Sequence, residues 1–165
     1  MDGKKIIPMN ARAEALAKMR EPFREQAQKS MELYREFGGT APDDAIETGI
    51  NALWLQSVTD GSESYKTYLV SPLWRVITQD VLLRDGHMCA ACRRDAEVLH
   101  HRSYRYEVMA GLDDERLISL CKPCHNYIHF HESKKIPKER WEKRLRDLQK
   151  LFIKKDKSAN IKKVN

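Results

Sequence analysis

Residues 10–37 are dominated by Ala, Glu, Lys, Arg, Met and Leu, a composition that predicts helix. Asn10 is a candidate N-cap for its start. Pro22 falls inside the pattern, and its ring and missing N–H break a helical turn, so two helices, or one kinked helix, meet there. Gly38-Gly39 stops the second. Pro42-Asp43-Asp44 then opens a further helix, in which Ile46, Ile50, Leu53 and Trp54 form a stripe at i, i+4, i+7 and i+8. Thr59-Asp60-Gly61-Ser62 ends it and reads as a linker. This first segment has no Cys and no His, and its stripe is that of a core or partner-facing helix.

The second half alternates shorter elements. Trp74, Ile77 and Val81 lie at i, i+3 and i+7 and predict an amphipathic helix over 73–84, ended by Asp85-Gly86. Val98-Leu99-His100-His101 reads as a strand, and Leu117-Ile118-Ser119-Leu120 as its return. Between them, 103–115 reads as a long loop with Gly111, Asp113 and Asp114 as turn formers. A helix from about Lys122 carries His125 and His129. Pro137 opens a last, basic helix over roughly 137–155, and Lys157 to Asn165 reads as frayed. The expected class is α+β, in three parts: a helical segment 1–64, a mixed domain 65–133, and a basic helix with its tail, 134–165.

Charge is unevenly spread. The net charge is +6, but residues 1–70 carry 9 Lys/Arg against 11 Asp/Glu, and residues 71–165 carry 21 against 13. Residues 134–165 alone hold 13 basic and 4 acidic side chains, so the positive field belongs to the C-terminal half. That balance favours a polyanionic partner. No run of 18 apolar residues is present, so no membrane partner is expected. The stretch Met1-Asp-Gly-Lys-Lys-Ile-Ile-Pro8 is too short and polar for a secretory core, which makes a cytoplasmic, reducing location the expectation.

All four cysteines sit in two pairs, Cys89-Ala-Ala-Cys92 and Cys121-Lys-Pro-Cys124. Each C-x-x-C turn brings two thiolates to one ion, and two such turns complete the tetrahedron of a structural Zn²⁺. The pairs are 28 residues apart, more than a zinc ribbon needs, so something is inserted between them. Five of the six histidines fall within that insertion and just after it. His125 and His129 are four apart and share one helix face, which is ligand spacing. His100 and His101 are adjacent on the first strand, where neighbours point to opposite faces unless the strand bends or ends. His87 and His131 read as structural or solvent residues.

The stretch Trp74 to Phe130 resembles an HNH endonuclease of the four-cysteine kind. The motifs are Cys89-x-x-Cys92, His100-His101-Arg-Ser-Tyr104, and Leu117-Ile-Ser-Leu-Cys121-Lys-Pro-Cys124-His125-x-x-x-His129. The resemblance implies a ββα-metal fold in which a hairpin and a helix pinch one divalent ion. It implies His101 as general base and His100, His125 and His129 as ligands of the catalytic metal. The asparagine of the family name would stand at Arg116, a departure that the subgroup tolerates. The ion would be Mg²⁺, Mn²⁺, Ni²⁺ or Zn²⁺; three imidazoles suit the later transition metals better than Mg²⁺. The implied function is metal-dependent hydrolysis of phosphodiester bonds in nucleic acid, DNA in preference to RNA.

Candidate phosphate contacts are Arg93, Arg94, Arg102 and Arg105 around the knuckle and the dyad, and Lys138, Arg140, Lys143 and Arg144 on the basic helix. Lys150 and Arg146 extend that set, although the spacing wraps around the helix. Tyr104 and Tyr106 could stack on bases or pack on the hairpin. Residues 1–64 are expected to dock, to form a homodimer, or to recruit a protein partner. Two rival readings stay open: a non-catalytic zinc module that binds nucleic acid, and a nuclease subunit active only with its partner.

Overall fold

The computed structural model describes residues 10–161, with side chains described as far as residue 153. The segment 1–8 read above lies outside the described residues, as do 162–165. The protein is a mixture of helices and small sheets, the α+β class expected, and it divides into two compact units, with the division inside one helix between Ile77 and Thr78. Among the described residues no helix is long and apolar enough to cross a membrane.

The first unit comprises residues up to Ile77 together with 104–114. It begins with α1 (Ala11–Arg20) and α2 (Arg24–Glu36), separated by one 3-10 turn, Glu21–Phe23, with Pro22 inside it. Asn10 does not cap α1 with its side chain; its backbone is helical and its amide donates to the Glu14 carboxylate instead. α3 (Ala45–Thr59) buries Ile50, Trp54 and Val58, a strict i, i+4, i+8 stripe, and leaves Ile46 and Leu53 only partly covered. The expected linker at 59–62 is a tight turn: Gly61, at φ 90°, lets α4 (Ser62–Leu69) start at once. Ser71 caps α5 (Pro72–Arg84), its hydroxyl accepting the Trp74 N–H at 3.1 Å ahead of a proline at the first helical position.

The expected loop 103–115 is in part helical. It contains α6 (Tyr106–Met109) and a 3-10 turn at Asp114–Arg116. Val108, Met109 and Ala110 are fully buried, and the Tyr68 hydroxyl donates to the Met109 carbonyl at 2.9 Å. Arg12 donates to the Gly111 carbonyl. Gly111 sits at φ 73°, and a Cβ there would meet Ile77 at 2.7 Å, so the turn requires glycine twice over. Rings fill the space around Trp54: Tyr106 lies edge-on at 5.6 Å, Tyr68 edge-on at 6.5 Å, and Tyr65 stacks on Tyr68 at 6.0 Å. Burial pushes the Tyr65 and Tyr68 phenols up, so both remain hydroxyl donors.

The second unit comprises 78–103 and the chain from Glu115 onward. β1 (Val98–His101) pairs antiparallel with β2 (Leu117–Leu120), with His100 opposite Ile118 and His101 opposite Leu117. α7 (Lys122–His129) follows directly. A two-residue-per-strand hairpin, β3 (Phe130–His131) and β4 (Lys134–Lys135), leads to a 3-10 turn at Lys138–Arg140 and to α8 (Trp141–Ile161). Pro137 therefore stands before the last helix rather than opening it, and helix continues to Ile161, through part of the segment expected to fray. The end of α5 is tied to β2, since Arg84 donates to the Leu117 carbonyl at 2.8 Å and the Asp85 carboxylate accepts the Ser119 N–H at 3.1 Å. The core beneath joins Leu120, Ile128, Leu145 and Leu148 to the four-cysteine cluster.

Tyr68→Phe removes a hydroxyl bonded to the fully buried Met109 carbonyl, with almost no change of volume. It should destabilise the first unit by about 1–3 kcal/mol in chemical denaturation, and an unchanged midpoint would mean that the bond contributes nothing net.

Candidate metal centres

The first knuckle is built from short backbone links. Cys89 N–H donates to the Arg94 carbonyl at 2.7 Å, Arg93 N–H to the Cys89 carbonyl at 2.9 Å, and Ala90 N–H to the Ser119 carbonyl at 2.9 Å. Arg93 takes a left-handed conformation, φ 62°, to close the turn. In the second knuckle Cys121 ends the β2 run and precedes α7, while Cys124 lies within the helix. The four sulfurs lie within 4.8 Å of one another, and Cys92 Sγ to Cys121 Sγ is 3.6 Å. A tetrahedron with Zn–S bonds of about 2.3 Å requires sulfur separations of about 3.8 Å, so the cluster could hold a structural zinc ion.

Four thiolates on one dication leave a net charge of −2, and Arg94 faces it. Its Nε lies 3.4 Å from Cys92 Sγ and its terminal nitrogen 4.0 Å from Cys121 Sγ. Burial raises the Cys92 thiol, but the Arg94 hydrogen bond and the neighbouring thiols outweigh this and bring it down to about 6. Arg94, expected at phosphate, thus serves the sulfurs.

A second cluster follows the knuckles in the chain, His100 eight residues after Cys92 and His125 directly after Cys124. His100 on β1 and His125 and His129 on α7 have ring nitrogens within 4.8 Å of one another, and His100 Nδ1 to His129 Nε2 is 3.0 Å. Metal–imidazole bonds of about 2.1 Å set nitrogen separations of about 3.0–3.4 Å, so the His100–His129 pair already has the spacing of two ligands on one ion. His101 is not of this set, but it is only 3% exposed and feels the charges of His125 and His129. His101 is the last residue of β1, opposite Leu117.

All four rings are held neutral. Burial, then the charge of His125, lowers His100 to about 4 and His101 to about 3. Burial, then His125 and His100, lowers His129 to about 3, and burial lowers His125. Neutral imidazole is the form that coordinates a metal. His131 and His87 are exposed, as expected for residues outside the site.

Two further residues border the cluster and went unnoticed in the sequence. Trp141 packs edge-on against His129 at 4.1 Å and lies 5.7 Å from His100. Glu142 accepts two hydrogen bonds from Arg102, at 2.7 and 2.9 Å, which hold its carboxyl below the usual carboxylate range, and its charge reaches His100. The only sequence signal was an aromatic-acidic pair at the start of an otherwise basic helix.

The expected phosphate contacts differ in their surroundings. Arg93, Lys138 and Arg140 are exposed, whereas Arg102 pairs with Glu142 and Lys143 pairs with Asp147 at 2.6 Å. Arg144 donates to the Tyr127 and Phe130 carbonyls at 2.7 and 3.2 Å, capping α7, and lies over the Tyr127 ring at 4.1 Å. Arg105 belongs to the first unit, where it pairs with Asp113 at 3.5 Å. Tyr104 and Tyr106 also belong there, packed on Tyr65 and Trp54. Comparisons with protein-family models, curated proteins and solved structures find no match to this chain.

Two outcomes are expected. Cys121→Ser should abolish zinc retention at the four-cysteine site and, because structural zinc contributes on the order of 10 kcal/mol, should remove the cooperative unfolding transition of the second unit; a normal transition without bound zinc would refute the structural role. The histidines give a pH dependence of known sign. Their folded values lie below the ordinary 6.5, so the unfolded chain takes up protons first as pH falls. With the histidine set metal-free, stability should be full above about pH 6.5 and decline toward pH 4, while the imidazole resonances of His100, His101 and His129 stay in their neutral positions down to about pH 5. Titration of those resonances near 6.5 would contradict the buried site.

Proposed function

We propose that the protein is a metal-dependent endonuclease of the HNH, ββα-metal type, which hydrolyses phosphodiester bonds in nucleic acid, DNA in preference to RNA. The observation that carries this reading is the close grouping of His100, His125 and His129 with His101 beside it, on a two-stranded sheet and the helix that follows. A single-purpose zinc module has no use for three neutral imidazoles gathered at one point with a fourth buried beside them.

His100, His125 and His129 would hold the catalytic ion. When bound, a divalent ion there supplies charge stabilisation at the phosphate and at the leaving oxygen. His101 is left uncoordinated and takes the proton from the attacking water. Its neutral form is fully populated at pH 7, because burial holds its pKa at about 3. That value alone makes a weak base, and the anionic phosphodiester brought beside it works in the opposite direction and raises its basicity. Since the ring is 3% exposed, the water it activates is one held within the site, not one drawn from open solvent. Trp141 walls the site, which keeps His129 fixed and the surroundings dry. Arg102 holds Glu142 away from direct competition for the ion.

Plasmid cleavage tests this. The wild type should nick or linearise DNA with Mg²⁺, Mn²⁺ or Ni²⁺ and stay inert with the histidine site metal-free. His101→Ala should cut at least about 10²-fold more slowly, the usual contribution of a general base, with zinc content unchanged. A folded, zinc-loaded wild type that is inert with every ion on DNA and RNA would leave the binding-module or partner-dependent readings in its place.

A further inference from the structure

The hairpin that follows α7 plays no part in the reaction just described, yet it is firmly held. Phe130 and His131 pair with Lys135 and Lys134 across a two-residue turn. The turn residues Glu132 and Ser133 both stand at positive φ, 47° and 67°. Turns of this kind favour Asn-Gly, and side chains bearing a Cβ are sterically penalised there. The strained turn persists because its base is clamped. Ile136 N–H donates to the His129 carbonyl at 2.8 Å, Trp141 Nε1–H to the Ile136 carbonyl at 2.8 Å, and Arg144 to the Phe130 carbonyl at 3.2 Å. Strain sustained in this way points to a use for what the hairpin displays.

It displays a ring and cations. All four strand residues are exposed, and Phe130 is 40% exposed. Directly opposed residues share a face of the ladder, so Phe130 and Lys135 lie side by side on one face, and His131 and Lys134 on the other. An exposed aromatic ring next to an ammonium is what single-stranded nucleic acid needs: a base stacks on the ring while the cation meets its phosphate. Residues 134–146 carry seven Lys/Arg against two Glu, which matches a polyanion. The Phe130 ring lies 6.4 Å from that of His129, so a base stacked there has its own phosphate within a nucleotide's length of the histidine set. In a duplex every base face is already stacked, and none is offered.

We propose that the Phe130–Lys135 hairpin is a stacking platform for an unpaired base, and that the substrate of the neighbouring site is single-stranded nucleic acid. This rests on the nuclease reading for its placement, but not for its test. Binding is measured on the full zinc-loaded chain carrying His101→Ala, with fluorescent single strands of DNA and RNA, the matching DNA duplex, and a strand containing 2-aminopurine. Single strands should bind more tightly than the duplex and quench 2-aminopurine. Phe130→Ala should weaken single-strand binding by about 5- to 150-fold, the loss of one stacked base, relieve the quenching, and leave duplex binding within about twofold. Phe130→Trp should keep both. Lys135→Gln should lower the salt slope on single strands by about 0.7, one phosphate contact.

Equal losses on single strand and duplex, no loss on either, or equal competition by polyglutamate would overturn the platform and leave a plain cationic surface. The DNA and RNA arms identify which strand it takes. Quenching by a protein that never cuts would remove the nuclease reading and keep the platform. Cutting unaffected by Phe130→Ala would keep the nuclease and remove the platform.

Discussion

The four-cysteine cluster is the constraint on which the second unit depends. Its sulfurs occupy the place where a larger domain would put Leu and Phe, and three of the eight buried residues of that core are cysteines. The other five, Ala91, Leu120, Ile128, Leu145 and Leu148, with a few partly buried neighbours, make a small core for two short strands and an eight-residue helix. A bound ion would change that balance. It would fix the end of β2 through Cys121 and the first turn of α7 through Cys124, and that turn carries His125 next in the chain. Orientation at the histidines would then be inherited from the thiolates. Arg94 offsets part of the negative charge that this arrangement brings into the fold.

Placing imidazoles against such a core has its own consequence. His100 and His101 are as buried as the leucines beside them, and burial penalises their charged forms. The rings are thus maintained as neutral donors whose lone pairs need a partner. The His100–His129 contact at 3.0 Å serves one nitrogen of each. A cation would serve three rings at once, and because the imidazoles are uncharged at neutral pH no net proton would have to leave on its arrival. The same desolvation that costs stability in acid makes the set ready for an ion.

What could be read from the sequence was whatever chemistry enforces at fixed spacing. The two C-x-x-C pairs, the i, i+4 histidines and the apolar strands Val98–His101 and Leu117–Leu120 all lie where their spacing predicts. What could not be read was set by packing between distant residues. α4 was missed because Ser62-Glu63-Ser64-Tyr65 has turn-like composition, and only the burial of Tyr68 among Trp54 and Trp74 reveals a helix. The segment 103–115 reads as a loop because its buried apolar residues, Val108, Met109 and Ala110, are consecutive and show no period. Trp141 and Glu142 escaped because their partners stand about 40 residues earlier, on or just after β1.

Charge was the least legible feature, and the reason bears on how such a protein would choose a substrate. Counting cations weighs each alike, but Arg94 already has a partner in sulfur, Arg102 in Glu142, Lys143 in Asp147 and Arg144 in helix-end carbonyls. A field remains, and it attracts any polyanion without distinguishing one from another. Discrimination has to come from groups that respond to the shape of the nucleic acid. Among the described residues near the histidine set, the exposed ring of Phe130 is such a group, since a base can reach it only when unpaired. The strained turn that presents it, held by Trp141 and Arg144, is rooted in the same two helices that frame the candidate metal centre, so recognition and chemistry would share one scaffold.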